Sequence, residues 1–218
     1  MKDLIRLQNF SFSFPEKDIF RNIDLDISLS GVTLLSGENG SGKSTFCRLL
    51  LALQSGYSGN LLFNDLEIST ADTISIASEI TYLKQSSSLN LLAATSMLDL
   101  VIWQAGFELN EPDEAAIEVA LNYFDLLDLQ DKPVWELSEG QRQRAVLAAL
   151  LLNRQKVWLL DEPASGLDII RQIKLKNLIA EQSRHRGILI ISHRYDLFAD
   201  ISDKIYEIRN KSIILRKE

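Results

Sequence analysis

Between Ile23 and Ser30 the chain alternates strictly. Ile23, Leu25, Ile27 and Leu29 fall on one side of an extended backbone, and Asp24, Asp26, Ser28 and Ser30 on the other. That two-residue period predicts a half-buried strand, within a region of short strands covering residues 3 to 36. Gly31 interrupts it, and Val32 to Leu35 begin a fully apolar strand. A glycine-rich loop, Gly37 to Gly42, follows, and then a helix from about Lys43 to Leu53. Further strands are expected at Asn60–Phe63 and Ile80–Leu83. From Leu89 to Leu129 the period becomes helical, with Ile117, Ala120, Leu121, Phe124 and Leu127 on one face and Pro112 and acidic residues near its start. A β-branched apolar strand ends at Leu160 and another runs Ile188–Ile191. A final hairpin turns at Asn210-Lys211, between Ile205–Ile208 and Ser212–Leu215. Strands alternating with helices imply an α/β fold with a mostly parallel sheet, preceded by an antiparallel β part and interrupted by a helical insertion at about 86–136. The whole chain, 1–218, is expected to form one domain around that insertion.

Composition narrows the function. The 218 residues carry 23 Lys and Arg against 30 Asp and Glu, a net charge of −7, so no nucleic-acid partner is expected. One cysteine, Cys47, excludes an internal disulfide, and two histidines exclude a Cys/His zinc cluster, which suits a reducing, cytoplasmic home. Cys47 is expected to pack the helix after the glycine loop, and Trp103, Trp135 and Trp158 are expected to fill the core. The longest apolar run, Ala145 to Leu152, is far short of the ~20 residues that span a bilayer. Met1-Lys2-Asp3 opens no apolar signal stretch. Any attachment to a membrane is therefore expected to run through a partner.

Three clusters carry chemistry. Gly37-Glu38-Asn39-Gly40-Ser41-Gly42-Lys43-Ser44 matches G-x-x-x-x-G-K-[ST] between an apolar strand and a helix. Glycines let backbone N–H groups converge on phosphate oxygens, the helix start adds its positive dipole end, Lys43 supplies a cation and the Ser44 hydroxyl can ligate Mg²⁺. A chance match in a turn is the bland reading, and the strand and helix on either side weigh against it. Second, the strand Val157-Trp158-Leu159-Leu160 ends in Asp161 and Glu162, one carboxylate suited to fixing Mg²⁺ and one to polarising water. Third, Ser138 and Gln141 have the spacing of a capping box at the start of a helix, Arg142 to Leu152. Capping leaves Gly140 without a reason, since glycine is unfavourable in a first turn, whereas a bare backbone at a helix start can receive an anion.

The sequence Leu137-Ser138-Glu139-Gly140-Gln141 resembles the signature LSGGQ of the ATP-binding cassette (ABC) ATPase family, with Glu139 in place of the first glycine. The resemblance covers nearly the whole chain. Gly37 to Thr45 is similar to the Walker A loop, Asp161 and Glu162 to the Walker B aspartate and catalytic glutamate, and Ser165-Gly166-Leu167-Asp168 to the D-loop. Gln85 matches the Q-loop glutamine and His193 the switch histidine. Phe14 sits where an aromatic stacks on adenine, with Phe10 and Phe12 offering the same ring. The resemblance implies a P-loop NTPase fold, ATP and Mg²⁺ as ligands, and ATP hydrolysis in a head-to-tail pair with a second ABC ATPase chain, identical or related. Lys43, Ser44, Asp161, Glu162, Gln85 and His193 would come from one chain, and Ser138, Gly140, Gln141 and Asp168 would approach the partner's nucleotide. Ser44, Gln85 and Asp161 would face the metal. It further implies the motor subunit of a transporter whose integral membrane permease is a separate protein, holding this chain at the cytoplasmic face of the membrane. Trp135-Glu136-Leu137 and the short cassette resemble energy-coupling-factor and metal-ion importer ATPases. Two rivals are a soluble ABC ATPase acting on ribosomes, DNA or iron–sulfur assembly, and a P-loop kinase. The first usually has tandem cassettes or coiled-coil insertions, and the second would leave the signature and His193 without a role.

Overall fold

A computed structural model describes residues 3–68, 73–83, 96–105 and 113–217, apart from the side chains of residues 73, 103 and 104. The alternation at Ile23–Leu29 lies at the end of a long antiparallel pair, β1 (Leu4–Phe14) and β2 (Lys17–Ser28), in which Ile23 and Ile27 are buried. The apolar run becomes β3 (Val32–Gly37), and the glycine loop leads into α1 (Lys43–Leu50). That helix stops short of the expected Leu53, because Ala52 turns to a φ of 54°. There follow β4 (Ser58–Phe63), β5 (Leu66–Glu67), α2 (Thr73–Glu79) and β6 (Ile80–Leu83). The helical stretch contains α3 (Met97–Gln104), α4 (Glu114–Tyr123) and α5 (Glu139–Leu152). The chain finishes with β7 (Val157–Asp161), α6 (Ile169–Gln182), β8 (Gly187–Ile191), α7 (Tyr195–Phe198), β9 (Lys204–Arg209) and β10 (Ser212–Lys217). The β9–β10 turn is the expected Asn210-Lys211, both residues at positive φ (51° and 64°), which suits the twist of a tight hairpin.

The chain divides into two compact units. The first comprises Met1–Gln85, Gln155–Ala164 and Ile169–Glu218; the second comprises Ser86–Arg154 and Ser165–Asp168. In the first, β2-β1-β4-β5 form an antiparallel sheet, and β10-β9-β3-β8-β7-β6 form a second sheet that is parallel except for the terminal hairpin. A single buried cluster joins Ile5, Leu7 and Phe20 of the first sheet, Phe46, Cys47 and Leu50 of α1, and Leu159, Leu189 and Ile191 of the second. Cys47 is thus a small apolar filler under the glycine loop, as expected.

In the second unit, α5 packs against both α3 and α4, which is why this unit runs past residue 136 to take in the whole of α5. Of the expected helical face, Ala120, Leu121 and Phe124 are buried, while Ile117 and Leu127 are half-buried. Pro112 lies outside the described residues, as does the side chain of Trp103. Trp158 is wholly buried, but the expectation of a buried Trp135 fails, since that indole is 68% exposed. A 3-10 turn over Val134–Glu136 puts Val134, and then Leu137, inside and leaves Trp135 and Glu136 between them outside.

Candidate active site

The parallel sheet delivers its chemistry at the C-terminal ends of β3, β7 and β8, where open α/β sheets bind ligands. Gly42 is the cap of α1, left-handed at φ 112°, and no side chain caps the helix. A Cβ on Gly42 would come within 2.5 Å of Ile19 Cγ2, so only glycine fits both the turn and the packing. The first-turn N–H groups of α1 are therefore left to an incoming anion. Lys43 folds back over its own loop, and its Nζ donates to the carbonyls of Gly37 at 2.8 Å and Glu38 at 3.0 Å. Burial pushes the Lys43 ammonium below its ordinary pKa, while Glu162 and Asp161 pull it back up.

Asp161 ends β7 at 2% exposure. Its Oδ2 accepts from the Tyr82 hydroxyl at 3.2 Å, and its Oδ1 is buried without a hydrogen-bond partner. Burial raises this carboxyl, against the hydroxyls of Ser44 and Tyr82, which lower it. Glu162, 5% exposed, adopts a left-handed φ of 50°. Such backbone strain in a non-glycine residue persists only where its surroundings hold it. Here the end of β8 does so. Glu162 Oε2 accepts from Ser192 Oγ at 2.7 Å, and Oε1 accepts from the His193 backbone N–H at 2.8 Å and from His193 Nδ1 at 2.7 Å. A carboxylate partner at that distance puts the imidazole hydrogen on Nδ1.

Lys43, Ser44, Thr45, Asn39, Gly40 and Gly42 share a cleft of about 330 Å³ with Asp161, Glu162 and Phe14. His193 reaches this group through Glu162. Of the three candidate rings, Phe10 and Phe12 are buried, and Phe14, 39% exposed, is the one that lines the cleft. Ser41 lines a neighbouring cavity of about 610 Å³ instead, and Gly37 takes part through its carbonyl. Ser138, Gly140, Gln141 and Asp168 belong to the second unit. There the capping box is complete: Ser138 Oγ accepts from Gln141 N at 3.3 Å, and Gln141 Oε1 accepts from Ser138 N at 2.8 Å. A Cβ on Gly140 would meet nothing within 4 Å, so packing within the chain does not demand glycine there. Asp168 is exposed. Gln85 lies outside the described residues.

Sequence reasoning missed Tyr82 and Ser192. Tyr82 reads as one more apolar strand position, and its polar tip was the available signal. Ser192 was visible only as the residue before His193.

A family model described as ABC transporter matches residues 20–165. The chain is 32% identical to the lantibiotic transport ATP-binding protein SrtF of Streptococcus pyogenes, over 99% of this chain and 91% of that protein. It is 29% identical to the petrobactin import ATP-binding protein YclP of Bacillus subtilis, over 97% of this chain and 85% of that protein. Among solved structures, cbiO1 of Clostridium perfringens, part of the ABC transporter complex cbiONQ, superposes with a TM-score of 0.80 at 25% identity, over 99% of this chain and 88% of that one. A bacterial Atm1-family ABC exporter with ATP bound shares the fold, with a TM-score of 0.85 at 21% identity; the match covers 98% of this chain and only 38% of the exporter. With the glycine loop, the paired carboxylates and the capped signature helix described, these matches lead to one conclusion: the chain belongs to the ABC transporter family, as one of its ATP-binding, ATP-hydrolysing subunits.

Proposed function

We propose that Lys43, Ser44, Asp161, Glu162 and His193 carry out Mg²⁺-dependent ATP hydrolysis in this chain. The observation that carries the reading is the buried Oδ1 of Asp161, which has no protein partner, on a carboxylate that shares its cleft with Ser44 and Lys43. A hard oxygen pair of this kind fits Mg²⁺, which takes one or two protein ligands and completes its shell with phosphate and water. Mg²⁺, when bound between Ser44 and Asp161, would neutralise charge on the β- and γ-phosphates.

The chain's own groups divide the remaining work. The loop N–H groups and the start of α1 cradle the phosphates, and Lys43 exchanges its loop carbonyls for phosphate oxygens. Phe14 offers its ring to the base. Glu162, held from three sides, orients a water and takes its proton as the water oxygen adds to the γ-phosphorus and the bond to the β-phosphate oxygen breaks. His193 would donate Nδ1–H to Glu162 and, in its imidazolium form, donate from its other ring nitrogen to a γ-phosphate oxygen. Gln85, two positions beyond β6 in sequence, would monitor metal and water.

The cassette would act as a pair. Ser138, Gly140, Gln141 and Asp168 would complete the ATP site of a second ABC ATPase chain, identical or related, which gives Gly140 the reason that its own surroundings lack. ATP would then bind the closed pair better than the open one, which is what a population shift requires. Among the described residues no helix is long and apolar enough to cross a membrane. The chain would work as a single ABC domain at the cytoplasmic face, coupled to a separate integral membrane permease that selects the cargo. The relatives' names, lantibiotic transport and petrobactin import, support such a division of labour.

Complementation tests the shared site. Lys43→Ala removes a chain's own phosphate loop, and Ser138→Arg removes what it lends its partner. In a mixed pair both defects fall in one site, leaving the other intact, so mixing two inactive variants should restore phosphate release. Because coupling between sites can mask that recovery, an ATP-dependent interchain crosslink between Ser44→Cys and Ser138→Cys, both in a Cys47→Ala background, accompanies it. Neither recovery nor crosslink would reject the shared site.

A further inference from the structure

We infer that Tyr82 is a positioning residue for the metal site: its hydroxyl pins one oxygen of Asp161 so that the other faces the cation. The inference rests on reading Asp161 as the cation-side carboxylate. A carboxylate at the end of a strand can rotate about its last bond, and a rotating ligand loses part of its interaction with a metal. Tyr82 sits on β6, two residues past Ile80, and pairs across the parallel ladder with Leu159 of β7. From there its hydroxyl reaches Asp161 Oδ2 at 3.2 Å. The partner Oδ1 stays buried and without a protein hydrogen bond. The two oxygens of one carboxylate are thus differentiated, one committed and one spare.

The ring that carries this hydroxyl is itself fixed. Tyr82 packs against the buried cluster that includes Phe46, Cys47 and Leu50 of α1. Phenol, α1 and β7 therefore form one solid block, and the hydroxyl is presented from packed structure. Outer-shell partners of this kind orient a metal ligand and hold it for binding. A filler role alone would need no hydroxyl, and phenylalanine would serve as well.

Tyr82→Phe isolates the hydroxyl, because the ring and its packing are retained. The measurement is the affinity of a fluorescent ADP analogue, titrated with Mg²⁺ and repeated in EDTA, with Mn²⁺ binding followed by electron paramagnetic resonance as a direct readout of the cation. The variant should match the parent in EDTA and at saturating Mg²⁺, yet need roughly tenfold more Mg²⁺, or Mn²⁺, to reach half of the metal-dependent effect. In an Asp161→Asn background the same substitution should add nothing further. An unshifted metal dependence overturns the inference, and so does an equal loss of affinity with and without metal, which would mark Tyr82 as packing alone. Thermal unfolding of the variant confirms that the fold is retained. Should Asp161→Asn itself leave the metal dependence unchanged, the reading of Asp161 fails; should it shift while Tyr82→Phe does not, only the role of Tyr82 fails.

Discussion

Replacing Glu162 with glutamine separates chemistry from architecture, and the structure fixes how large each part should be. The carboxylate accepts from Ser192 Oγ, from His193 N–H and from His193 Nδ1, all within 2.8 Å. A glutamine carbonyl oxygen can keep the two His193 bonds. Its amide nitrogen then faces Ser192 Oγ, which already accepts from Arg194 N at 3.0 Å but has a second lone pair to offer. The two His193 bonds survive, whereas the Ser192 bond reverses and the buried hydroxyl hydrogen loses its charged acceptor, so the fold should lose about 1 kcal/mol. For a domain of this size that lowers the melting temperature by about 2–4 °C. Removal of a general base costs roughly 100- to 10,000-fold in rate. At 1.36 kcal/mol per tenfold, that is about 3–5 kcal/mol of barrier. The chemical effect therefore exceeds the structural one severalfold. Single-turnover phosphate release with enzyme in excess should fall by that factor, while a fluorescent ATP analogue still binds. With less negative charge beside the γ-phosphate, ATP should also move the variant from monomer to dimer on size exclusion. Turnover within about threefold of the parent, outside the range for a lost general base, would refute the assignment of Glu162.

Two further outcomes follow from burial and charge. Trp158→Ala should cost about 3–5 kcal/mol in denaturant unfolding, whereas Trp135→Ser should stay within about 0.5 kcal/mol, because one indole is enclosed and the other is exposed. Asp18 is held down to about 2 by Lys211 foremost, then by Ser13 and Arg21. Its folded value lies below its unfolded one, so its contribution is present above pH ~4 and is lost as the pH falls through about 2. Asp18→Asn should accordingly be less stable than the parent at pH 7 and converge on it below about pH 2, as read from urea midpoints at each pH.

Much of the first unit was legible because its signals are local. The period of two in β2, the apolar runs of β3 and β7 and the Asn210-Lys211 turn each state their structure within a few residues. The glycine loop and the two carboxylates were legible for the same reason. What escaped depends on partners far away in sequence. α6 begins with Ile169, Ile170 and Ile173 exposed and buries Leu175, Leu178 and Ile179, so apolar residues stand on both faces and blur its helical period. Trp135 was expected inside on size alone, but the 3-10 turn gives the interior to Val134 and Leu137. The second unit reaches beyond the expected insertion because α5 packs on α3 and α4, a choice its apolar sequence does not announce. The clamp on Glu162 joins the ends of β7 and β8, thirty residues apart in the chain, and no short motif could disclose it.

The order of strands in the second sheet has a consequence for biosynthesis. β3, the strand that launches the glycine loop, lies between β8 and β9. Its neighbours are residues 187–191 and 204–209, whereas it is itself made at residues 32–37. The antiparallel sheet of β1, β2, β4 and β5 needs nothing beyond residue 67 and can assemble early on the ribosome. β3 must wait for almost the whole chain, and long-range parallel pairing of this kind is slow. Through that interval Val32, Leu34 and Leu35 are an unpaired apolar edge of the sort that nascent-chain chaperones cover and that aggregates when they do not. Fragments that stop before Gly187 would contain every residue of the phosphate loop and still lack the neighbours that give it shape.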